Sequence, residues 1–383
     1  MPWKEIYVMD EKIQTISRWL TGEYSITELS RIHDVSRKTL YKWIERYQQD
    51  RENGLKELSR RPATFANATS ADIVSEILNL KQTKMEWGAR KLLGWLEDHR
   101  PEKKWPVSST VQDILKRHDL IKARRKRHHT PPYSDPFLEA IQPNEVWSAD
   151  YKGQFRLGCG DYCYPFTLTD NYSRYLLSCR GLEHPAYKPT MDCFEKAFRE
   201  YGLPNAIRTD NGVPFASTGI RGLSKLSIWF IKLGILPERI EKGHPEQNGR
   251  HERMHRTLKA EATKPPQYSM AAQQRVFDWF CDYFDNDRPH EAWGQKTPAS
   301  KYKKSNRKYP NKLPNIEYPE HYQIRRIHQG GSLKWGNKEM YFSSVLAGEY
   351  VGLTEVDNGL WTIYLSFYPV AILDERTFTF ISL

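Results

Sequence analysis

The sequence predicts a multidomain α/β protein, with helical units in front, an α/β layer core in the middle and a small β domain at the end. Three observations carry that expectation. At 383 residues the chain exceeds one ordinary domain. From Asn144 the texture shifts from helical periodicity to successive strands followed by helices. Beyond residue 320 short strands return, separated by Gly-Asn and Asp-Asn-Gly turns. The expected boundaries are 1–62 and 63–128 for two helix-turn-helix units, 129–143 for a linker, 144–303 for the core, 304–320 for a second linker and 321–383 for an SH3-like β-barrel.

Residues 26–47 open the case. Ile26, Leu29 and Ile32 share one face of a short helix; Leu40, Trp43, Ile44 and Tyr47 share one face of the next; Val35 plugs the corner between them. Ser25 and Ser36 stand where helix caps belong. In this layout the second helix enters a DNA major groove. Its outward residues, Arg37, Lys38, Tyr41 and Lys42, suit phosphates and guanine edges. A generic helical hairpin is the plain alternative.

A second, winged unit is expected at 70–120, with Trp87, Leu92, Leu93, Trp95 and Leu96 apolar and Arg90 and Lys91 between them. Ser108 or Ser109 is placed to cap its last helix, which carries Val111, Ile114 and Leu115, and Ser109 and Thr110 are its candidate DNA contacts. Between the units, Arg60 and Arg61 are candidates for a minor groove, or for a plain solvated linker. The basic run at 122–129 favours phosphate contact.

Charge agrees with this division. The net charge is +11, yet residues 1–130 hold 26 basic and 18 acidic side chains, leaving only +3 for the rest. A basic front end on a near-neutral body points to a polyanion partner. Five scattered cysteines make no disulfide framework, and Cys159 and Cys163 lack the second pair a zinc site needs. No apolar run approaches the roughly 20 residues that span a bilayer. A cytoplasmic, DNA-associated protein without membrane contact is expected.

In the core, residues 146–155, 162–171 and 173–182 read as strands, 188–202 as a helix and 206–209 as a short buried strand. Helices are expected near 222–234, 250–263 and 270–286. Three stretches carry chemistry: WSAD at 147–150, TDNG at 209–212 and HPEQNGRHERMHRTLK at 244–259. The first two place a carboxylate at the end of an apolar strand, where α/β sheets gather their ligands. Asp150 and Asp210 on neighbouring strands would repel unless a divalent cation lay between them. Mg²⁺ takes oxygen ligands and keeps waters for substrate phosphates. Two such ions, with Mn²⁺ as substitute, can hold both oxygens of an in-line phosphoryl displacement.

Together these stretches resemble the catalytic signature of the integrase-type transposases of bacterial insertion sequences, relatives of retroviral integrases. The similarity runs from about Val146 to Tyr302 and includes RPHEAW at 288–293 and TPASKY at 297–302. It implies a ribonuclease-H-like core and a metal-binding Asp-Asp-Glu triad, with Asp150 first and Asp210 second. For the third position two glutamates compete. Between Asp210 and Glu246 lie 35 residues, an interval common in this superfamily, and between Asp210 and Glu252 lie 41. Pro245 and Asn248-Gly249 put Glu246 in the approach to a helix, whereas Glu252 falls inside it with Arg256 and Lys259 on its own face. Glu252 also follows the Asn-Gly pair and precedes a basic residue by seven positions, as the family's glutamate does. Glu252 is chosen.

Asn211 is expected to shape the turn beyond Asp210 and to touch DNA, and Arg256 and Lys259 to hold phosphates. His244 is a candidate for orienting a water or phosphate. His251 and His255 are read as packing residues, and Asp170 as a turn residue. One rival shares the third stretch: His251-Glu252-Arg253-Met254-His255 matches the HExxH zinc-protease pattern, without a convincing third ligand. A catalytically inactive DNA-binding regulator is the other alternative. The resemblance implies an enzyme that binds the inverted repeats of its element, double-stranded DNA, and acts as a dimer or higher multimer on it.

Overall fold

A computed structural model describes residues 8–57, 68–121, 139–217, 219–241 and 245–382. The chain forms two compact units, Met1–Thr69 and Ser70–Leu383.

The first unit holds helices α1 (Val8–Leu20), α2 (Ile26–Ile32) and α3 (Arg37–Gly54). Both expected caps form. Ser25 makes a reciprocal capping box with Glu28, and Ser36 accepts from the Thr39 amide. Ile16, Leu29, Leu40, Ile44 and Leu55 fill the interior. The core therefore draws on α1, a helix not expected from the sequence. Ile32, placed inside by the helical period, is 48% exposed. It ends a seven-residue helix whose other apolar residues already meet α3.

In the second unit, α4 (Ala71–Thr83), α5 (Ala89–His99) and α6 (Ser108–Arg117) pack together through Ile77, Leu92, Leu96, Val111 and Leu115. No strand accompanies them among the described residues, so the wing is absent there. Ser108 is the first helical residue and Val107 the cap position, so neither serine caps α6. These helices also join the core. The Trp87 indole donates to the Tyr283 hydroxyl at 2.8 Å, and the Trp95 indole to Asp287 at 2.6 Å.

The core is a mixed sheet of β1 (Val146–Tyr151), β2 (Phe155–Arg156), β3 (Tyr162–Asp170), β4 (Leu176–Leu182), β5 (Ala206–Thr209) and β6 (Leu236–Arg239). The order is β2-β3-β1-β5-β6, with β4 also on β3. Strand β1 pairs β3 antiparallel and β5 parallel, and β5 pairs β6 parallel. Successive side chains on β1 alternate faces. Trp147 and Ala149 enter one core layer with Phe194 and Phe198 of α7 (Tyr187–Tyr201) and Trp229 and Phe230 of α8 (Lys225–Lys232). The opposite layer is closed by α9 (Gly249–Ala262) and α10 (Met270–Asp282), through Met254, Leu258, Phe277 and Phe280. Asp150 stands on this second face.

The segment expected as a linker after residue 303 is strapped to the core in its first half. The Arg307 guanidinium donates to the carbonyls of Pro204, Leu233 and Gly234. The C-terminal strands are β7 (Gln323–Arg326), β8 (Ser332–Trp335), β9 (Lys338–Tyr341), β10 (Tyr350–Asp357), β11 (Leu360–Leu365), β12 (Tyr368–Asp374) and β13 (Thr379–Ile381). They form an antiparallel sheet in the order β13-β12-β11-β10-β7 and a separate β8-β9 hairpin. Leu333 and Trp335 of the hairpin share one apolar cluster with Leu353, Ile363 and Leu373 of the sheet and with Ile228 and Ile231 of α8.

Candidate active site

The three acidic residues come from three elements. Asp150 ends on β1, Asp210 follows β5, and Glu252 lies in the first turn of α9. Burial pushes the Asp150 carboxyl up to about 7, and the charges of Asp210 and Glu252 push the same way. That mutual influence places all three carboxylates in one electrostatic neighbourhood. Two local amides work against it. The Tyr151 amide donates to Asp150 Oδ1 at 2.7 Å, and the Gly212 amide to Asp210 Oδ1 at 3.0 Å. Burial raises Asp210 as well. Gly212 packs closely on this carboxylate: a Cβ there would lie 3.0 Å from Asp210 Oδ2, so the side chain would have to give way by a few tenths of an ångström.

Behind the carboxylates lies a network the sequence reading did not anticipate. Thr167 faces Asp150 across the β1–β3 ladder, and Thr169 faces Ser148. His251 and His255, one turn apart on α9, dock onto this pair of threonines. The Thr167 hydroxyl contacts His251 Nε2 at 2.7 Å, His255 Nε2 at 2.7 Å and the Asp150 main-chain carbonyl at 3.1 Å. A hydroxyl has one hydrogen, and the carbonyl can only accept. With that hydrogen on the carbonyl, both imidazoles donate through Nε2. His251 Nδ1 then accepts from the Thr169 hydroxyl at 2.9 Å. His255 Nδ1 is left with a bare lone pair 3.7 Å from Asp150 Oδ2. Burial keeps both rings neutral, pushing His251 down to about 3 and His255 to about 2. The period-two spacing of the threonines and the four-residue spacing of the histidines were the signal available in the sequence.

This donor set fits a divalent cation. A neutral imidazole nitrogen of His255 faces the Asp150 carboxylate, whereas Asp210 and Glu252 fall outside the close group of ligand atoms among the described residues. Candidate ligand atoms of Asp150, His251 and His255 lie within 4.8 Å of one another. Of the two histidines, His251 has both nitrogens engaged by threonines, so only His255 offers a free nitrogen. Cys159 and Cys163 join no such group among the described residues.

The other expected residues divide by position. Arg37, Lys38, Tyr41 and Lys42 are all exposed on α3. Ser109 is exposed and Thr110 half-buried in the first turn of α6. Arg256 and Lys259 are exposed on α9, the helix of Glu252. Asn211 is exposed, and its amide donates to the Ile240 carbonyl at 2.6 Å. Asp170 is the turn residue expected: it accepts from the amides of Asn144 and Ser173 and from the Ser173 hydroxyl. Arg60, Arg61, the run 122–129 and His244 lie outside the described residues. Glu246 falls in the 3₁₀ turn Pro245–Asn248 before α9, and its side chain lies outside them too.

Known proteins agree with this architecture. The integrase core domain family matches residues 140–245 and, in a second form, 233–298. A helix-turn-helix domain family matches 11–63, and a homeodomain-like domain family 39–115. The chain is 26% identical over 257 residues to an uncharacterized 39.2 kDa protein of insertion element IS476 from Xanthomonas euvesicatoria, covering 64% of this chain and 69% of that one. It is 26% identical over 184 residues to an uncharacterized 31.7 kDa protein of insertion element IS407 from Burkholderia multivorans, covering 47% and 62%. A stretch of 123 residues is 28% identical to the Pol polyprotein of Radiation murine leukemia virus, covering 32% and 20%. No described helix is long and apolar enough to cross a membrane. Integrase core domain matches thus follow helix-turn-helix matches along this chain, and the relatives it resembles come from insertion elements and retroviruses.

Proposed function

We propose that this protein is a transposase that binds the terminal inverted repeats of its insertion sequence and catalyses DNA cleavage and strand transfer, with Asp150, Asp210 and Glu252 holding two Mg²⁺ ions. The observation that carries the reading is the Asp150 carboxyl. Burial at a strand end holds it above the usual carboxylate range, and two acidic neighbours, after β5 and on α9, push the same way. Such an arrangement is costly in the free protein and is relieved by a cation. When bound, divalent ions supply charge neutralisation and polarise the scissile phosphate.

The chain's own residues prepare the rest. The Tyr151 and Gly212 amides fix one oxygen of each aspartate, leaving the other to a ligand. The threonine–histidine network pins α9 against β3, which sets where Glu252 stands. Arg256 and Lys259 would hold phosphates of the strand, and the exposed α3 residues would read the repeat. In the first displacement, water would attack a phosphodiester and release a 3′-hydroxyl. In the second, that hydroxyl would attack target DNA, with its proton passing to solvent and a target 3′-oxygen leaving. No covalent enzyme intermediate is needed. Two ends must be joined, so a dimer or larger assembly on DNA is expected.

The test is donor-end cleavage and strand transfer with Asp150→Asn, Asp210→Asn, Glu246→Gln and Glu252→Gln. The reading requires loss of both reactions in the two aspartate variants and in Glu252→Gln. Retained cleavage in Glu252→Gln with loss in Glu246→Gln would move the third ligand. A wild-type protein that binds repeat DNA without cutting it would leave a DNA-binding regulator.

A further inference from the structure

On α9, His255 is 6% exposed, yet only one of its two ring nitrogens is satisfied. Nε2 meets the Thr167 hydroxyl at 2.7 Å. Nδ1 has no hydrogen-bond partner among the described residues and faces Asp150 Oδ2 at 3.7 Å. The Asp150 carboxylate is divided in the same way. Its Oδ1 accepts from the Tyr151 amide at 2.7 Å, and its Oδ2 accepts no hydrogen bond among the described residues. The one free atom of each side chain is thus turned toward the other.

An N–H···O bond spans about 2.7–3.2 Å, so a hydrogen on either atom would not join them. One divalent ion, with bonds of about 2.0–2.2 Å to nitrogen and oxygen, reaches across a gap of up to about 4.2 Å. The separation suits a cation and not a hydrogen bond. Thr167 supplies what a histidine ligand needs behind it. A ligating imidazole donates its other ring hydrogen to a fixed acceptor, which sets the tautomer and aims the lone pair. Here Nε2 donates to the Thr167 oxygen, whose own hydrogen goes to the Asp150 main-chain carbonyl at 3.1 Å. One hydroxyl therefore fixes both the imidazole and the main chain of the aspartate it faces. His251, one turn earlier, has both nitrogens held by Thr167 and Thr169 and no lone pair to give.

We propose that His255 Nδ1 is a nitrogen ligand of the divalent ion held by Asp150, and that this donor gives the site a preference for later transition-metal ions over Mg²⁺. The assignment rests on the reading that Asp150 binds a metal, and it adds a ligand to that site. Oxygen donors suit Mg²⁺, whereas an imidazole nitrogen favours ions further along the first transition row, such as Co²⁺. The two histidines of α9 then have separate uses. His251 anchors the helix to β3, and His255 reaches the ion.

Pulsed electron paramagnetic resonance of Mn²⁺ bound to the full chain, without DNA, reads the ligand directly through nitrogen modulation of the electron spin echo. Wild type should show the modulation of a coordinated imidazole. His255→Gln should lose it, and His251→Gln should keep it. Competition against the Mn²⁺ signal gives a second readout: His255→Gln should weaken Co²⁺ binding about a hundredfold and Mg²⁺ binding less than about tenfold. Melting curves report folding, and the wild-type spectrum decides the matter should His255→Gln fail to fold. Bound Mn²⁺ without nitrogen modulation in wild type overturns the proposal. So does modulation that survives in His255→Gln, or equal losses of Co²⁺ and Mg²⁺ binding in that variant. The readings beneath it fail in other ways. If Asp150→Asn binds Mn²⁺ as wild type does, Asp150 is no ligand and the site falls with it. Mg²⁺-dependent donor-end cleavage by wild type is read separately. If cleavage is present and the nitrogen signal absent, only the His255 assignment fails; if cleavage is absent and the signal present, the transposase reading fails and the metal site stands.

Discussion

Helix α9 has two faces with different work. One buries His251, Met254, His255 and Leu258 against the sheet and α10; the other exposes Glu252, Arg256 and Lys259. The buried face is neutral, and its histidines are fixed as hydrogen-bonding groups by Thr167 and Thr169. The exposed face is charged and makes few contacts of its own. The comparison shows how the site separates placement from chemistry. The side that packs determines where the helix lies, so the other side can carry a carboxylate that packing would not tolerate.

Substitutions on the two faces should therefore give opposite signatures. Leu258→Ala leaves a void at a fully buried position and should cost about 2–5 kcal/mol in unfolding free energy. Its cleavage rate per folded molecule should change little. Glu252→Gln should do the reverse, lowering cleavage about a hundred- to a thousandfold at an unchanged or higher melting temperature. Equal losses of stability and activity in both variants would erase the distinction.

Asp150 sharpens it through pH. Its native carboxyl titrates near 7, against an ordinary value of 3.8. Below the ordinary value both folded and unfolded chains are protonated there. Between the two values the unfolded chain ionises while the native one keeps its proton, so stability falls as pH rises through that window and levels off above it. Urea unfolding of the metal-free protein at pH 4, 6 and 8 should show this decline. Asp150→Asn should flatten it and be the more stable protein at pH 8. A decline of the same size in the variant would assign it to other groups.

Effects on His255 and Lys259 should be smaller. His255→Gln removes the lone pair facing Asp150 and one hydrogen bond to Thr167, and should weaken Mn²⁺ binding about ten- to a hundredfold. Lys259→Gln should weaken DNA binding uniformly across sequences and lower the salt slope by about one. A sequence-dependent change would mean that Lys259 reads bases.

Much of this was visible in the sequence where the periodicity was strong. The caps at Ser25 and Ser36, the buried strand ending at Asp210 and the placement of Glu252 inside a helix all follow from local patterns. Strand β6 was missed because Leu-Pro-Glu-Arg carries no strand signature and pairs only through its parallel neighbour β5. The threonine–histidine network joins β3 to α9 across more than 80 residues, and only the folded sheet brings those residues together. The docking of this helical unit beside the core through Trp87 and Trp95 is likewise not revealed by composition alone. The wing was expected from the helix-turn-helix pattern, yet the aromatic residues of this unit meet α10 and the turn that follows it.

The central claim is that Asp150, Asp210 and Glu252 share a divalent cation. Mn²⁺ binding to the metal-free protein, followed by electron paramagnetic resonance, tests it without any DNA present. Asp150→Asn, Asp210→Asn and Glu252→Gln should each weaken binding, while Glu246→Gln should bind as the wild type does. Wild-type affinity in Glu252→Gln, with loss in Glu246→Gln, would contradict the site described here.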